Sequence, residues 1–488
     1  MSTETPPEAA LPRTGAVVGV LAGAGITVSL MQTLVVPLIP DLPHLLHTSA
    51  ANASWAITAT LLAGAVATPV AGRLGDLYGK RHVLVASSLL LVLGSVVCAL
   101  TSALGPMVVG RALQGFGMGV IPLGISLMRD VLPPRKLGSA VALMSSSLGV
   151  GGALGLPLAA VIAQHADWHV LFWGSAGAGL LVAVLLVLLV PAPRPTATGR
   201  FDAVGALGLS VGLLCLLLPI SKGGDWGWAT GRTLGLFGAS AVVLVVWGWW
   251  ELRAPAPLVD LRTTARRQVL MTNLASVVVG FAMYAMSLIA PQLLELSSAT
   301  GYGLGQSMTA AGVWLVPSGL AMMAVSPLGA RLSAARGPRT SLLAGSLVIA
   351  AGYALALPLM GHAWGVMVFA AVISAGIGFA YAAMPSLIMG AVPVAETAAA
   401  NGLNTLMRSI GTSSSSAVVG VVLSHMTTRV GPATIPSENA FRTGFVVAGV
   451  GALAAALVTL AIPGRRTPSG GRVTDRTGAG EAEATRAR

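Results

Sequence analysis

An all-α, polytopic membrane protein with 14 transmembrane helices, built as two bundles and a two-helix insert, is the fold class this sequence predicts. Three observations predict it. Of 488 residues, 55% are hydrophobic and only 9% charged, whereas a soluble domain averages about 25% charged. Apolar runs of about 20 residues, the length needed to cross a hydrocarbon core of ~30 Å, recur along the whole chain. A weak internal repeat relates the two halves at an offset of 258 residues. The net charge of +12 falls in short stretches between the apolar runs. It forms no Lys/Arg stripe with interleaved aromatics, so a nucleic-acid surface is excluded. Cys98 and Cys215 each sit inside an apolar run, where they read as packing residues rather than a disulfide or metal pair. The first fourteen residues are polar, and the apolar run after them is too long for the h-region of a signal peptide.

The spans run approximately 15–40, 52–71, 83–103, 105–128, 137–163, 169–190, 202–220, 233–250, 268–294, 307–329, 340–360, 364–391, 399–425 and 442–462. Orientation follows from the distribution of Lys and Arg. With the N-terminus in the cytoplasm, 23 of the 28 basic residues fall on the inner side, Arg408 among them. Lys222, Arg232, Arg429 and Arg442 fall on the outer side, and Arg111 remains inside a span. An odd number of spans would spoil this alternation. The expected location is the cell membrane, multi-pass, with both termini cytoplasmic.

The repeat sets Pro69 to Arg81, PVAGRLGDLYGKR, against Pro327 to Arg339, PLGARLSAARGPR. Leu74 matches Leu332, Gly79 matches Gly337, and Arg81 matches Arg339, while Asp76 faces Ala334. Ser147-Leu-Gly149 likewise resembles Ser409-Ile-Gly411. Such a repeat implies two homologous bundles related by an axis along the membrane normal. Its spacing is eight helices, not six. Two extra helices, roughly Phe201 to Trp250, therefore lie between the bundles, and the Trp247-Gly-Trp-Trp250 cluster at their end reads as an interfacial belt. The expected domains are a cytoplasmic disordered tail at 1–14, a six-helix bundle at 15–190, the insert and linkers at 191–267, a six-helix bundle at 268–463, and a disordered tail at 464–488.

The chain is organised around Gly72-Arg-Leu-Gly-Asp-Leu-Tyr-Gly-Lys-Arg81, read as a tight basic loop between the second and third spans. Asp76 is flanked there by Arg73, Lys80 and Arg81. The pattern G-x-L-x-D-x-x-G-[KR]-R closely resembles the signature loop of the major facilitator superfamily, and the fourteen spans resemble its drug:proton antiporter branch. The resemblance implies a secondary transporter whose two bundles rock about a midplane site. It also makes Gly72, Arg73, Asp76, Gly79, Lys80 and Arg81 a conformational latch, with Asp76 paired to arginines in the inward-closed state.

In the fourth span, Gly110-Arg-Ala-Leu-Gln-Gly115 resembles the family's R-x-x-Q-G motif. There the arginine faces the central cavity and is linked to proton transfer, which nominates Arg111 and Gln114. An ionisable group in a span faces a cavity or a partner, so a structural arginine bonded to carbonyls of the first helix is the other reading. In the fifth span, Gly149-Val-Gly-Gly-Ala-Leu-Gly155-Leu-Pro157 resembles the antiporter motif through Gly151, Gly155 and Pro157. Small residues admit close helix approach and proline bends the helix. The match is imperfect, since the family's adjacent Gly-Pro is interrupted here. The first span, Leu30 to Pro40, keeps the motif's Thr33 and Pro40. It carries Met31 and Val36 where the branch has an Asp and an Asn, and Gln32 is the nearest polar replacement.

No Asp or Glu lies at the middle of a span. Asp41 and Glu295, at outer ends, and Asp76 are the carboxylates with positional or family support as proton carriers. Gln32, Asn273, Tyr284, Trp314, Tyr381 and Asn404 are the candidate substrate-cavity residues, and Arg408 is a further polar residue inside a second-bundle span that could line a cavity. Each alone is more often a packing or interhelical hydrogen-bonding residue. His44, His47, His165, His169 and His362 fall near the outer face without metal-ligand spacing. Gly-rich pieces such as Gly115-Phe-Gly-Met-Gly119 lie in apolar helices with no preceding strand, and there is no P-loop. The function expected from the resemblance is proton-coupled efflux of hydrophobic or amphiphilic small molecules, drugs or antibiotics, by alternating access. Neutral or weakly polar substrates suit the missing first-span acid better than dications. The alternative is import or uniport of a small metabolite on the same fold. An enzyme, a cofactor, a metal and a nucleic-acid partner are not expected. The expected partners are the substrate, protons and membrane lipid, and the chain is expected to be a monomer.

Overall fold

A segment that crosses a bilayer must satisfy its backbone hydrogen bonds internally, and the long apolar runs of this chain are all helices in the computed structural model. The structure describes residues 14–35, 38, 41–195, 197–430 and 433–463. Among them, fourteen helices are long and apolar enough to cross a membrane. They are α1 (Thr14–Thr33), α2 (Trp55–Tyr78), α3 (Lys80–Ala99), α4 (Leu104–Val131), α5 (Pro134–His165), α6 (His169–Leu189) and α7 (Ala203–Trp226). The remaining seven are α8 (Gly231–Glu251), α9 (Arg267–Glu295), α10 (Met308–Arg336), α11 (Pro338–Leu359), α12 (Ala363–Met389), α13 (Thr397–His425) and α14 (Glu438–Leu460). A tight turn at Gly117–Gly119 interrupts α4. A two-stranded antiparallel ribbon, β1 (Thr427–Val430) and β2 (Ala433–Pro436), joins α13 to α14.

Several boundaries differ from the hydropathy reading. The first span was expected to reach residue 40, but α1 stops at Thr33. Residues 36, 37, 39 and 40 lie outside the described residues. The expected loop 72–81 is almost entirely helical. α2 continues to Tyr78, Gly79 alone breaks the hydrogen bonding, and α3 begins at Lys80. α7 likewise outruns its apolar stretch, because Lys222 is bonded to Ser54 and, at 3.2 Å, to Asp225. The expected tails at 1–13 and 464–488, and the Val36 and Pro40 positions, lie outside the described residues.

The internal repeat is visible in the packing. α1 packs on α5 and α6, α2 on α4, and α3 on α4 and α6. Eight helices later, α9 packs on α13 and α14, α10 on α12, and α11 on α12 and α14. The two bundles meet along two seams, α2 with α13 and α5 with α10, and the repeat operation exchanges one seam for the other. The matched residues play matched parts. Gly79 and Gly337 are the one-residue hinges of α2–α3 and α10–α11, at φ +98° and +90°. Arg81 donates to the Val187 carbonyl in the last turn of α6 at 2.5 Å, and Arg339 to the Leu460 carbonyl in the last turn of α14 at 2.7 Å. A cation at a helix C-terminus satisfies orphaned carbonyls and opposes the dipole.

Positive φ at a hinge is cheap only for glycine. Gly79→Ala is therefore expected to destabilise the protein by about 2 kcal/mol. The check is a thermal melt of the purified protein. Gly420→Ala is the control, since a Cβ there meets nothing within 4 Å.

The insert pair lies at the side of one seam. α7 packs on α8, α2 and α13. Its Leu209, Leu213 and Leu217 share an apolar cluster with Ala65 of α2 and Leu403 and Leu406 of α13. α8 lies outermost, with Val242, Val245 and Trp249 exposed, as befits a lipid-facing helix.

Candidate functional site

The charged signature residues cluster where α2 turns into α3, at what is here called the basic end. Asp76 is fully buried, Lys80 is 2% exposed and Arg73 is 8% exposed. One helical turn separates Asp76 from Lys80, which brings Nζ to 3.6 Å from Oδ1. The same Nζ donates to Asp130 at the end of α4 at 2.6 Å. Asp76 also accepts from the backbone N–H groups of Ala398 (3.1 Å) and Ala399 (3.0 Å). Those are first-turn amides of α13, which have no partner within their own helix and form its positive end. A side chain of the first bundle thus caps a helix of the second, 322 residues away. Arg129 adds a bond across the same seam, to Thr397 Oγ1 at 2.6 Å. Glycine lets the backbones approach: a Cβ on Gly72 would stand 2.4 Å from the Ala398 carbonyl oxygen, and one on Gly402 2.6 Å from that of Thr68.

The expected pairing of Asp76 with arginines is corrected by this geometry. Lys80 is its ion-pair partner, Arg81 is bonded to α6, and Arg73 acts on it through charge alone, its buried Nε having no hydrogen-bond partner among the described residues. The reason is reach. Gly79 reverses the chain so that Lys80 folds back on Asp76 while Arg81 points to the neighbouring helix. The linker after α6 also touches this corner, where the Ala197 N–H donates to the Asp76 carbonyl at 3.0 Å.

Arg111 is 2% exposed and turned into the first bundle. Its Nε donates to the Ala56 carbonyl at 2.8 Å and its Nη1 to Gln114 Oε1 at 2.7 Å. Gln114 passes the chain on to Ser95 Oγ at 2.8 Å. The network ties α4 to α2 and α3. It is the bonded, structural arrangement, with the carbonyl supplied by the second helix instead of the first.

Between the bundles, α4, α5, α12 and α13 enclose a small cavity of about 10 Å³, roughly one water molecule's room. Ile121, Ser145, Tyr381, Asn401, Thr405 and Arg408 stand on its wall. Asn404 also faces it, and its Nδ2 donates to Asn273 Oδ1 at 2.9 Å and Ser276 Oγ at 2.8 Å. Of the expected cavity residues, Tyr381 and Asn404 line this space and Asn273 supports it. The others lie elsewhere. Trp314 bonds Gln306 at 3.1 Å, at the far end of α10. Tyr284 is half-buried on α9, and Gln32 is half-buried near the end of α1. Asp41 and Glu295 are exposed at the far end, and Asp41 stands with His44 on the wall of an open cavity of about 270 Å³. The structure does not bring Asp41 or Glu295 to Arg111.

The α5 glycines pack. A Cβ on Gly151 would stand 2.5 Å from Ser29 Cβ of α1, and one on Gly155 would overlap Thr33. Pro157 faces Gly312 of α10. α5 therefore joins its own bundle on one face and the second seam on the other.

Two participants were not singled out as site residues from the sequence, and a third, Arg408, was read two ways. Asp130 was one, although an acid at the inner end of a span, beside a basic turn, was the available signal. Arg408 was counted on the inner side and also read as a polar residue inside its span. It lies three turns inside α13, because an Arg among Asn, Thr and Ser can be held within a bundle. Glu251 is 3% exposed at the end of α8 and accepts from the Val259 N–H at 3.5 Å.

Comparison with known proteins follows the same line. The family model of the Major Facilitator Superfamily matches residues 21–416 and 274–485. An uncharacterized MFS-type transporter of Mycobacterium tuberculosis is 29% identical over 406 residues, covering 80% of this chain and 57% of that protein. The chain thus spans little more than half of that relative's length. The tetracenomycin C resistance and export protein of Streptomyces glaucescens is 28% identical over 433 residues, covering 86% of this chain and 77% of that one. Among solved structures, the human organic anion transporter MFSD10 superposes with a TM-score of 0.64 at 15% identity, covering 92% of this chain and all of that one. That likeness concerns the fold alone. Fourteen membrane-spanning helices, a two-bundle packing that repeats every eight helices, and a family match along nearly the whole chain lead to one conclusion: this protein belongs to the major facilitator superfamily.

Proposed function

We propose that this protein is a secondary active exporter of hydrophobic or amphiphilic small molecules, driven by protons. The observation that carries the reading is the cavity between α4, α5, α12 and α13, shut at the basic end by the Asp76 cap on α13. That is the arrangement alternating access requires: a site between two bodies and a releasable closure on one side of it. On this reading, residues 15–190 and 268–463 are the two moving bodies, α7 and α8 are the insert, and the basic end faces the cytoplasm. The export direction and substrate type draw on the relative that carries tetracenomycin C resistance and export in its name. Asp76 is the carboxylate whose protonation loosens the latch, since a neutral acid no longer holds the positive end of α13.

The test is a drug-susceptibility panel in a host lacking its own pumps, paired with inverted membrane vesicles under an imposed pH gradient. Raised resistance to at least one amphiphilic compound, with gradient-dependent accumulation inside the inverted vesicles, is the expected result. Accumulation in right-side-out vesicles instead indicates import and rejects the reading. So does transport that ignores the gradient.

A further inference from the structure

The cavity between the bundles holds a fixed positive charge and no negative one. Arg408 lies eleven residues into α13, about 17 Å along its axis, and lines the cavity. Its guanidinium stands 4.7 Å from the centre of the Tyr381 ring, and one donor reaches Thr405 Oγ1 at 3.4 Å. A guanidinium carries five N–H donors. Among the described residues, no other protein acceptor takes the rest, and no carboxylate comes within 4.0 Å. No Asp or Glu appears on the cavity wall. Three of the buried cations of the spans are answered by bonds within the protein, while Arg73, at the basic end and away from this cavity, keeps a buried Nε without a hydrogen-bond partner among the described residues. Lys80 has Asp76 and Asp130, Lys222 has Asp225, and Arg111 has a carbonyl and an amide. A charge held in a membrane faces a partner or a cavity that receives one.

We propose that the ligand of this cavity is an amphiphile bearing an anionic group, a carboxylate or an ionised phenol, held by Arg408. The planar fork of the guanidinium matches such an oxyanion. Tyr381 orients the guanidinium from its ring face, and Ser145 and Asn401 supply further polar contacts. Ile121, Ile125 and Leu148 on the same wall receive the apolar body when the bundles part. This replaces the neutral or weakly polar class read from the sequence with an acidic one. The inference rests on this cavity being the substrate site of the proposed exporter.

The experiment measures equilibrium binding to the purified full chain in lipid nanodiscs. The probes are 9-anthracenecarboxylate and its uncharged amide, which match in size and apolar surface. The wild type is expected to prefer the carboxylate by about tenfold or more. Arg408→Gln abolishes that preference and leaves amide binding within about twofold, and Arg408→Lys restores part of it, since it keeps the charge but loses the fork. Ser145→Asp, which places an internal anion on the cavity wall, also abolishes the preference, and serves if Arg408→Gln does not fold. Equal binding of both probes by the wild type overturns the proposal, as does binding of neither, or a preference that survives both Arg408→Gln and Ser145→Asp. Binding needs no gradient and no direction. A failed export assay with the preference intact rejects the export reading alone, and a lost preference with export intact rejects this inference alone.

Discussion

Asp76→Asn is expected to leave the protein folded and in the membrane while loosening the seam between α2 and α13 about tenfold. Folding survives because the cation paired with Asp76 keeps a second acid: Lys80 retains Asp130 at 2.6 Å. The seam weakens because the carboxylate accepts two first-turn amides of α13. An amide side chain has one accepting oxygen and no charge, and its NH₂ repels those donors. A hydrogen bond to a charged group is worth about 1.5–3 kcal/mol, and each 1.4 kcal/mol is a factor of ten in an equilibrium. The measurement uses a protein with Cys98 and Cys215 replaced by alanine and Thr405 by cysteine. Thr405 stands on the wall of the cavity behind the seam, so its alkylation by a water-soluble maleimide added at the basic end reports opening. The alkylation rate should rise about tenfold, and transport in reconstituted vesicles should slow because re-latching is impaired. If neither rate moves, Asp76 is not part of the gate.

Arg111→Ala is expected to lose about 3 kcal/mol of stability and most of the folded protein. The substitution strips the Ala56 carbonyl and the Gln114 amide of their partners and leaves a hole among α2, α3 and α4. Unsatisfied buried polar groups cost about 1–3 kcal/mol each, and the cavity adds to that. Arg111→Lys separates a brace from a proton-coupling residue. Lysine retains the charge but reaches the two acceptors through one compact head, so an intermediate loss of melting temperature is expected with an unchanged pH profile of transport. A normal melt with an altered pH profile would reverse the assignment and return Arg111 to the coupling machinery.

These two residues show how far the chain could be read before folding. The sequence placed Arg111 and Gln114 one turn apart on one helix face, and the 2.7 Å bond between them follows from that spacing. It could not show whether that face looked into the cavity or into the bundle. The carbonyl that decides it belongs to Ala56 on another helix. Asp76 was legible as a charge that must be paired, and its nearest neighbours in sequence were the natural candidates. The amides of Ala398 and Ala399 carry no side-chain signature, since any residue supplies an N–H. Arg408 misled the charge count because loops and cavity walls both hold arginine.

What the sequence determined by itself is what depends on neighbours along the chain. Apolar length sets the spans, and the repeated Gly79 and Gly337 set the two hinges. The matched Arg81 and Arg339 mark the repeat that relates the bundles. The tertiary structure alone decided which polar group meets which: Lys80 with Asp130, Asp76 with the start of α13, Arg111 with α2, and Arg408 with no acid among the described residues. The physical reason is that hydrophobicity accumulates over contiguous residues. A polar group withdrawn from water is instead satisfied by whatever the packing of helices brings within about 3 Å, at any distance along the chain.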